Sequence, residues 1–173
     1  MEDLRIKTRG QLDTLEKIML RIPLYHGYKE KELRRESDSL LRNHIYQNLL
    51  DAKQNLKKKQ SQLIENNQMD LGKKIDKIIV SCDTVAERIH HAEGGYSGFW
   101  DAVKIKEKEL DMLYQFDVDI SAIADETKTH SNELLAASHS GKAEDLSTIT
   151  QKIDLLDEKI TARTNLLNGY GDT

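Results

Sequence analysis

Cysteine, proline and aromatic side chains are all scarce in this chain, and each shortage closes off a class of protein. One cysteine, Cys82, among 173 residues rules out an internal disulfide framework. One proline, Pro23, leaves almost the whole sequence free of the strongest helix breaker. Aromatic residues make up 5% and hydrophobic residues 38%, too little for a thick globular core, while 32% charged residues suit helices with one apolar and one solvated face. No apolar run approaches the roughly 20 residues that cross a bilayer, and no secretory h-region is present. These absences lead us to expect a reduced, soluble, cytoplasmic protein. Phosphate-cradling patterns such as G-x-x-x-x-G-K-[ST] and G-x-G-x-x-G are also missing.

What is present is an uneven charge map laid over helical periodicity. The net charge of −4 divides into +1 over residues 1–28, +4 over 29–59, −2 over 60–110 and −7 over 111–173. A basic second segment beside an acidic C-terminal third favours antiparallel packing within the chain or pairing of two copies, and argues against nucleic acid as the partner.

The apolar stripes predict about five helices. The first, over residues 2–22, carries Leu4, Leu12, Leu15, Ile18, Met19 and Ile22, and Pro23 to Gly27 read as the turn that ends it. The second runs over 29–66 with Leu33, Ser37, Leu40, Leu41, Ile45, Leu49, Ala52, Leu56 and Leu63. The third, over 69–93, is a clean heptad repeat through Leu71, Ile75, Ile78, Cys82, Val85, Ile89 and Ala92. Gly94, Gly95 and Gly98 mark a break, with Tyr96, Phe99 and Trp100 expected to plug one end of a bundle. The fourth helix, over 99–137, uses Val103, Leu110, Leu113, Phe116, Ile120, Ile123 and Leu134. Ser138 to Gly141 form the last turn, and the fifth helix, over 142–168, repeats the heptad through Leu146, Ile149, Ile153, Leu156, Ile160, Arg163 and Leu167. The expected fold is all-α: one domain over residues 1–173, an elongated antiparallel bundle or coiled coil with short turns. Such narrow seams need neighbours that offer the same seam, which antiparallel hairpins supply within one chain, and residual apolar surface on the long second helix favours a homodimer.

Several groupings invite a chemical reading. Glu87 and His90 have the E-x-x-H spacing of di-metal bundles, yet at 100° per residue they lie roughly 130° to 170° from their helix's apolar stripe, toward solvent. Glu126, His130 and Glu133 lack that spacing. Cys82 occupies a core heptad position, where a thiol is desolvated and inert. Lys57, Lys58 and Lys59 read as a cationic point on a solvated helix face. No metal, cofactor or catalytic residue is therefore expected. Glu30, Arg34, Asp38 and Arg42 lie four apart with alternating sign, which supports the helix that they share. Tyr25, Tyr28, Lys29, Lys31, Arg34 and Arg35 gather at the start of that helix, where backbone donors and the dipole also favour an anion, and are expected to dock a partner carboxylate or phosphate.

The run from Tyr25 to Arg42, about one tenth of the chain, resembles a stretch of an uncharacterised family of small, all-helical prokaryotic proteins. The resemblance implies helical architecture and brings no catalytic residues to carry over. The functional expectation is a non-enzymatic interaction or scaffold protein acting through long helices and self-associating, with its protein partner unidentified. The alternatives are a peripheral binder of anionic membrane or nucleic acid through the basic second helix, and a metal-dependent helical-bundle enzyme.

Overall fold

The structure, a computed structural model, describes residues 13–92, 99–100, 105–137 and 143–169. Every regular element among them is helical, and no strand occurs in these residues. Helix α1 covers residues 13–21, α2 spans Lys31–Glu65, α3 Met69–His90, α4 Glu107–Ala136 and α5 Ala143–Asn168. Residues 99 and 100 are also helical. The expected turns at Gly94, Gly95 and Gly98 and at residues 138–141 lie outside the described residues, as do Leu4, Leu12, Tyr96 and Val103.

Each boundary has a local cause. Helix α1 closes with the Ile22 N–H donating to the Ile18 carbonyl at 2.8 Å, after which Pro23 cannot continue the ladder. Leu24 then takes a left-handed backbone with φ of 66°, unusual for a branched residue. Helix α2 ends in a Schellman arrangement. Gln68 donates to the Leu63 carbonyl at 2.8 Å and Asn67 to that of Ile64 at 3.0 Å, with Asn67 supplying the left-handed φ of 60°. At 35 residues, α2 is about 52 Å long.

One expected helix is interrupted. Residues 105 and 106 are not helical, so the helix anticipated over 99–137 restarts as α4. The six residues before Leu110 hold one apolar side chain, Ile105, so no stripe secures that stretch, whereas Glu107 and Glu109 suit a new N-terminal dipole.

By its internal contacts the chain forms two compact units. The first comprises residues 1–44, 92–121 and 159–173, and the second 45–91 and 122–158. In the second unit the side-chain pairs fix the helix directions. Lys53 reaches Asp83 and Gln60 reaches Asp76, so α2 and α3 run antiparallel. Asn48 to Asp125 and Asn55 to Asn132 share a constant offset of 77 residues, so α2 and α4 run parallel. Lys152 to Glu126 links α5 with α4, and Arg88 to Asp157 links α3 with α5. The four helices thus stand in the ring order α2, α3, α5, α4. Their shared core includes Ile45, Leu49, Ala52, Leu56, Ile75, Cys82, Ala124, Leu134, Ile149, Ile153 and Leu156, all buried.

Of the heptad residues anticipated in α3, those from Ile75 to Ile89 bury while Leu71 and Ala92 are half-buried, and in α5 those from Leu146 to Leu167 all bury. Two other stripes need correction. Met19 is 49% exposed rather than part of the α1 seam. Phe116 is half-buried, and Tyr114 takes the interior place beside Leu113.

Candidate functional site

The densest chemistry lies inside the first unit, where charged and phenolic groups are buried together. Asp117 on α4 is wholly buried. Its Oδ2 accepts the Tyr25 hydroxyl at 2.7 Å and the Tyr28 hydroxyl at 2.6 Å, and its Oδ1 accepts Arg163 Nε at 2.8 Å. Arg163, on α5, extends the same guanidinium through Nη2 to the Tyr28 hydroxyl at 3.0 Å and to Asp38 Oδ1 at 2.8 Å. Asp38 Oδ2 accepts Arg42 Nε at 2.8 Å one turn along α2. The cluster therefore ties the loop after α1 to α2, α4 and α5.

The backbone around Tyr28 is held as tightly. Arg34 Nε donates to the Tyr28 carbonyl at 2.9 Å, and the Tyr28 N–H donates to the Tyr114 hydroxyl at 2.8 Å. That last contact needs Gly27. Its φ is 80°, and a Cβ there would sit 2.6 Å from the Tyr114 hydroxyl oxygen. Aromatic rings seal the cluster: Tyr28 stacks on Tyr114 at 5.6 Å and tilts against Trp100 at 5.5 Å, while Phe99 meets Trp100 edge-on at 4.9 Å. Phe99 and Trp100 are thus interior.

Electrostatics follow from the burial. Desolvation, then the charge of Asp117, pushes the Tyr25 and Tyr28 phenols well above their ordinary range. Burial also lifts the Asp117 carboxyl, with Arg163 and the two phenols pulling against it. For Arg163 burial opposes the charge, but Asp117, Tyr28 and Asp38 more than offset this, and the guanidinium stays charged. Both carboxylate oxygens of Asp117 and of Asp38 have partners, and no member of the cluster faces open solvent. Its hydrogen bonds hold together the loop after α1, α2, α4 and α5 within the first unit.

This placement changes the expected docking surface. Tyr25 and Tyr28 are completely buried and Arg34 is 3% exposed, so these three are interior residues and cannot meet a partner. Lys29, Lys31 and Arg35 do lie on the surface. The alternating series Arg34, Asp38 and Arg42 lies on the buried face of α2, not on its solvated one. Sequence reasoning missed Asp117 and Tyr114, and placed Arg163 in a seam without reading its charge. The available signal was polar residues at apolar heptad positions: Asp117 completes a 3-4 spacing from Leu110 and Leu113 to Ile120, as Arg163 does between Ile160 and Leu167.

The other groupings resolve individually. Glu87 and His90 are exposed, with His90 stacked on Tyr46 at 4.2 Å. His130 Nδ1 donates to the Glu126 carbonyl at 2.7 Å. Among the described residues no three His, Cys, Asp or Glu side chains converge as a metal site. Cys82 is buried, its Sγ directed at the Leu49 carbonyl, and its thiol is pushed up to about 12 by burial first and by Asp83 second. The triple lysine is not one surface feature. Lys57 and Lys58 are exposed, but Lys59 is 1% exposed and donates through Nζ to the Ala137 carbonyl at 2.7 Å, beyond the C-terminal end of α4.

On the second unit's surface, α3 and α5 leave a groove between them. Two successive depressions of about 320 and 340 Å³ are floored by Ile78, Val85, Leu146 and Ile153. Small hydroxyls line the sides, namely Ser81 and Thr84 on α3 and Ser147 and Thr150 on α5. Val80 stands on the lip, 60% exposed. No described helix is long and apolar enough to cross a membrane.

Comparison with protein-family models, with curated proteins and with solved structures gives no match to this chain.

Proposed function

We propose that this chain is a non-enzymatic interaction protein that docks a partner helix along the α3–α5 groove. The observation that carries this reading is the groove's make-up: an apolar floor, short hydroxyl walls and the exposed Val80 side chain. An amphipathic helix laid there buries its apolar stripe on Ile78, Val85, Leu146 and Ile153, which is the helix-in-groove mode of recognition. The sealed cluster of Asp117, Arg163, Asp38 and the two tyrosines supports the same reading from the other side, because its hydrogen-bonding capacity is spent on holding the first unit together.

The test is a photoreactive residue, Val80→benzoylphenylalanine, in the full chain produced in its native cells. Cross-linking to a defined polypeptide is the expected result. Labelling of lipid, or recovery of the uncross-linked chain alone, overturns the proposal.

A further inference from the structure

We infer that the α3–α5 face packs against the same face of a second copy of this chain, antiparallel across a two-fold axis that passes at Val80. This rests on the helix-docking reading above and names its partner.

The argument starts from the groove's polarity. Lys74 and Lys77 line one end, and Asp154 lines the other. None of the three is in an ion pair among the described residues, whereas Asp157, next along α5, is engaged by Arg88 Nη2 at 2.6 Å. Helices α3 and α5 run parallel, so Lys74 and Lys77 share one depression with Leu146, Ser147 and Thr150, and Asp154 shares the next with Thr84 and Val85. At about 1.5 Å per residue the level of Asp154 is then roughly 6 Å beyond Val80, and Lys74 and Lys77 lie roughly 9 and 5 Å before it. Val80 falls near the midpoint of a positively charged and a negatively charged end.

A surface with that layout selects its mate. A uniformly basic or uniformly acidic partner is attracted at one end and repelled at the other, and a polyanion such as nucleic acid meets Asp154. An antiparallel copy of the same groove matches at both ends. Rotation by half a turn about Val80 brings the lysines of each protomer to the level of Asp154 of the other, within reach of their long side chains, the isologous arrangement of a C2 dimer. It also sets the two Val80 side chains against each other on the axis, covering the most exposed apolar residue of α3. The short Ser81, Thr84, Ser147 and Thr150 side chains let the two helix pairs approach closely.

The full chain carrying Val80→Cys on a Cys82→Ala background tests the axis, with Leu155→Cys, 42% exposed on the outer side of α5, as the comparison. Under mild oxidation V80C is expected to give the disulfide-linked dimer at least about tenfold faster than L155C, as an on-axis thiol pair would. Sedimentation supplies the electrostatic arm. The pair K74D/K77D, or D154K alone, is expected to weaken self-association about tenfold, and the triple variant to restore it, because both ends are then reversed together. Circular dichroism establishes that each variant is folded. A monomer at about 100 µM overturns the inference. So does a dimer in which V80C links no faster than L155C, or in which the triple variant fails to recover. In any of these cases a position-80 cross-link to another polypeptide in cells still sustains helix docking, and its absence removes that as well.

Discussion

Asp117 takes two phenols and a guanidinium at full burial, and Arg163 divides one guanidinium between two carboxylates on different helices. Removing the shared cation leaves both carboxylates in the interior, with only Arg42 still paired to Asp38. Arg163→Met should therefore cost about 3–5 kcal/mol in urea unfolding, the usual penalty for orphaning one side of a buried pair. Arg163→Lys should recover only part of this, because a point charge cannot fork to both acids. A loss below about 1 kcal/mol for the methionine variant would mean that the cluster is not what holds the first unit. At this scale the sequence was only half legible. Tyr25, Tyr28 and Arg34 stood out as a dense, unusual group, but their side chains point inward because Asp117 lies 89 and 92 residues away on another helix, and no local spacing reports that distance. Charge in a heptad seam, at Asp117, Arg163 and Lys59, was the overlooked clue: a buried charge at an apolar position implies a partner across the bundle.

Helix α3 shows where element-level reading works. Its apolar period is unbroken, so the buried face, from Ile75 through Cys82 to Ile89, follows directly from spacing. The fourth helix was misjudged for the opposite reason: without glycine or proline near residue 105, only the thinning of its apolar stripe announced the break. Gly72, in the first turn of α3, offers a test of how far propensity governs this element. It is buried, and a Cβ there would meet only the Ile64 side chain, at 3.2 Å from Cγ1. Ile64 is 45% exposed and free to shift outward, so the contact is cheap to relieve. Gly72→Ala should then stabilise the protein by about 0.5–1 kcal/mol, the helix preference for alanine less a small packing cost. A lower melting temperature for the variant would show that Ile64 is held in place.

The whole molecule should lose stability in alkali. The folded chain keeps protons on Tyr25 and Tyr28 well above the ordinary phenol range, and on Cys82 up to about 12, whereas the unfolded chain releases them near about 8.5 to 10. The unfolded state then binds fewer protons, so unfolding free energy falls as pH rises through that window. Melting temperatures should be level up to about pH 8 and decline steadily toward pH 11. Tyr25→Phe, weaker at neutrality by one charge-assisted hydrogen bond, should show a shallower decline from its own starting value. Phenolate absorbance from Tyr25 and Tyr28 appearing while the chain is still folded would contradict this account. The division of the chain has a consequence for biosynthesis as well. The first unit draws on residues 1–44, 92–121 and 159–173, so a nascent polypeptide leaving the ribosome carries Asp38 and Asp117 long before Arg163 emerges. Until then their cation is still to be translated, and the first unit can close only once Arg163 has emerged.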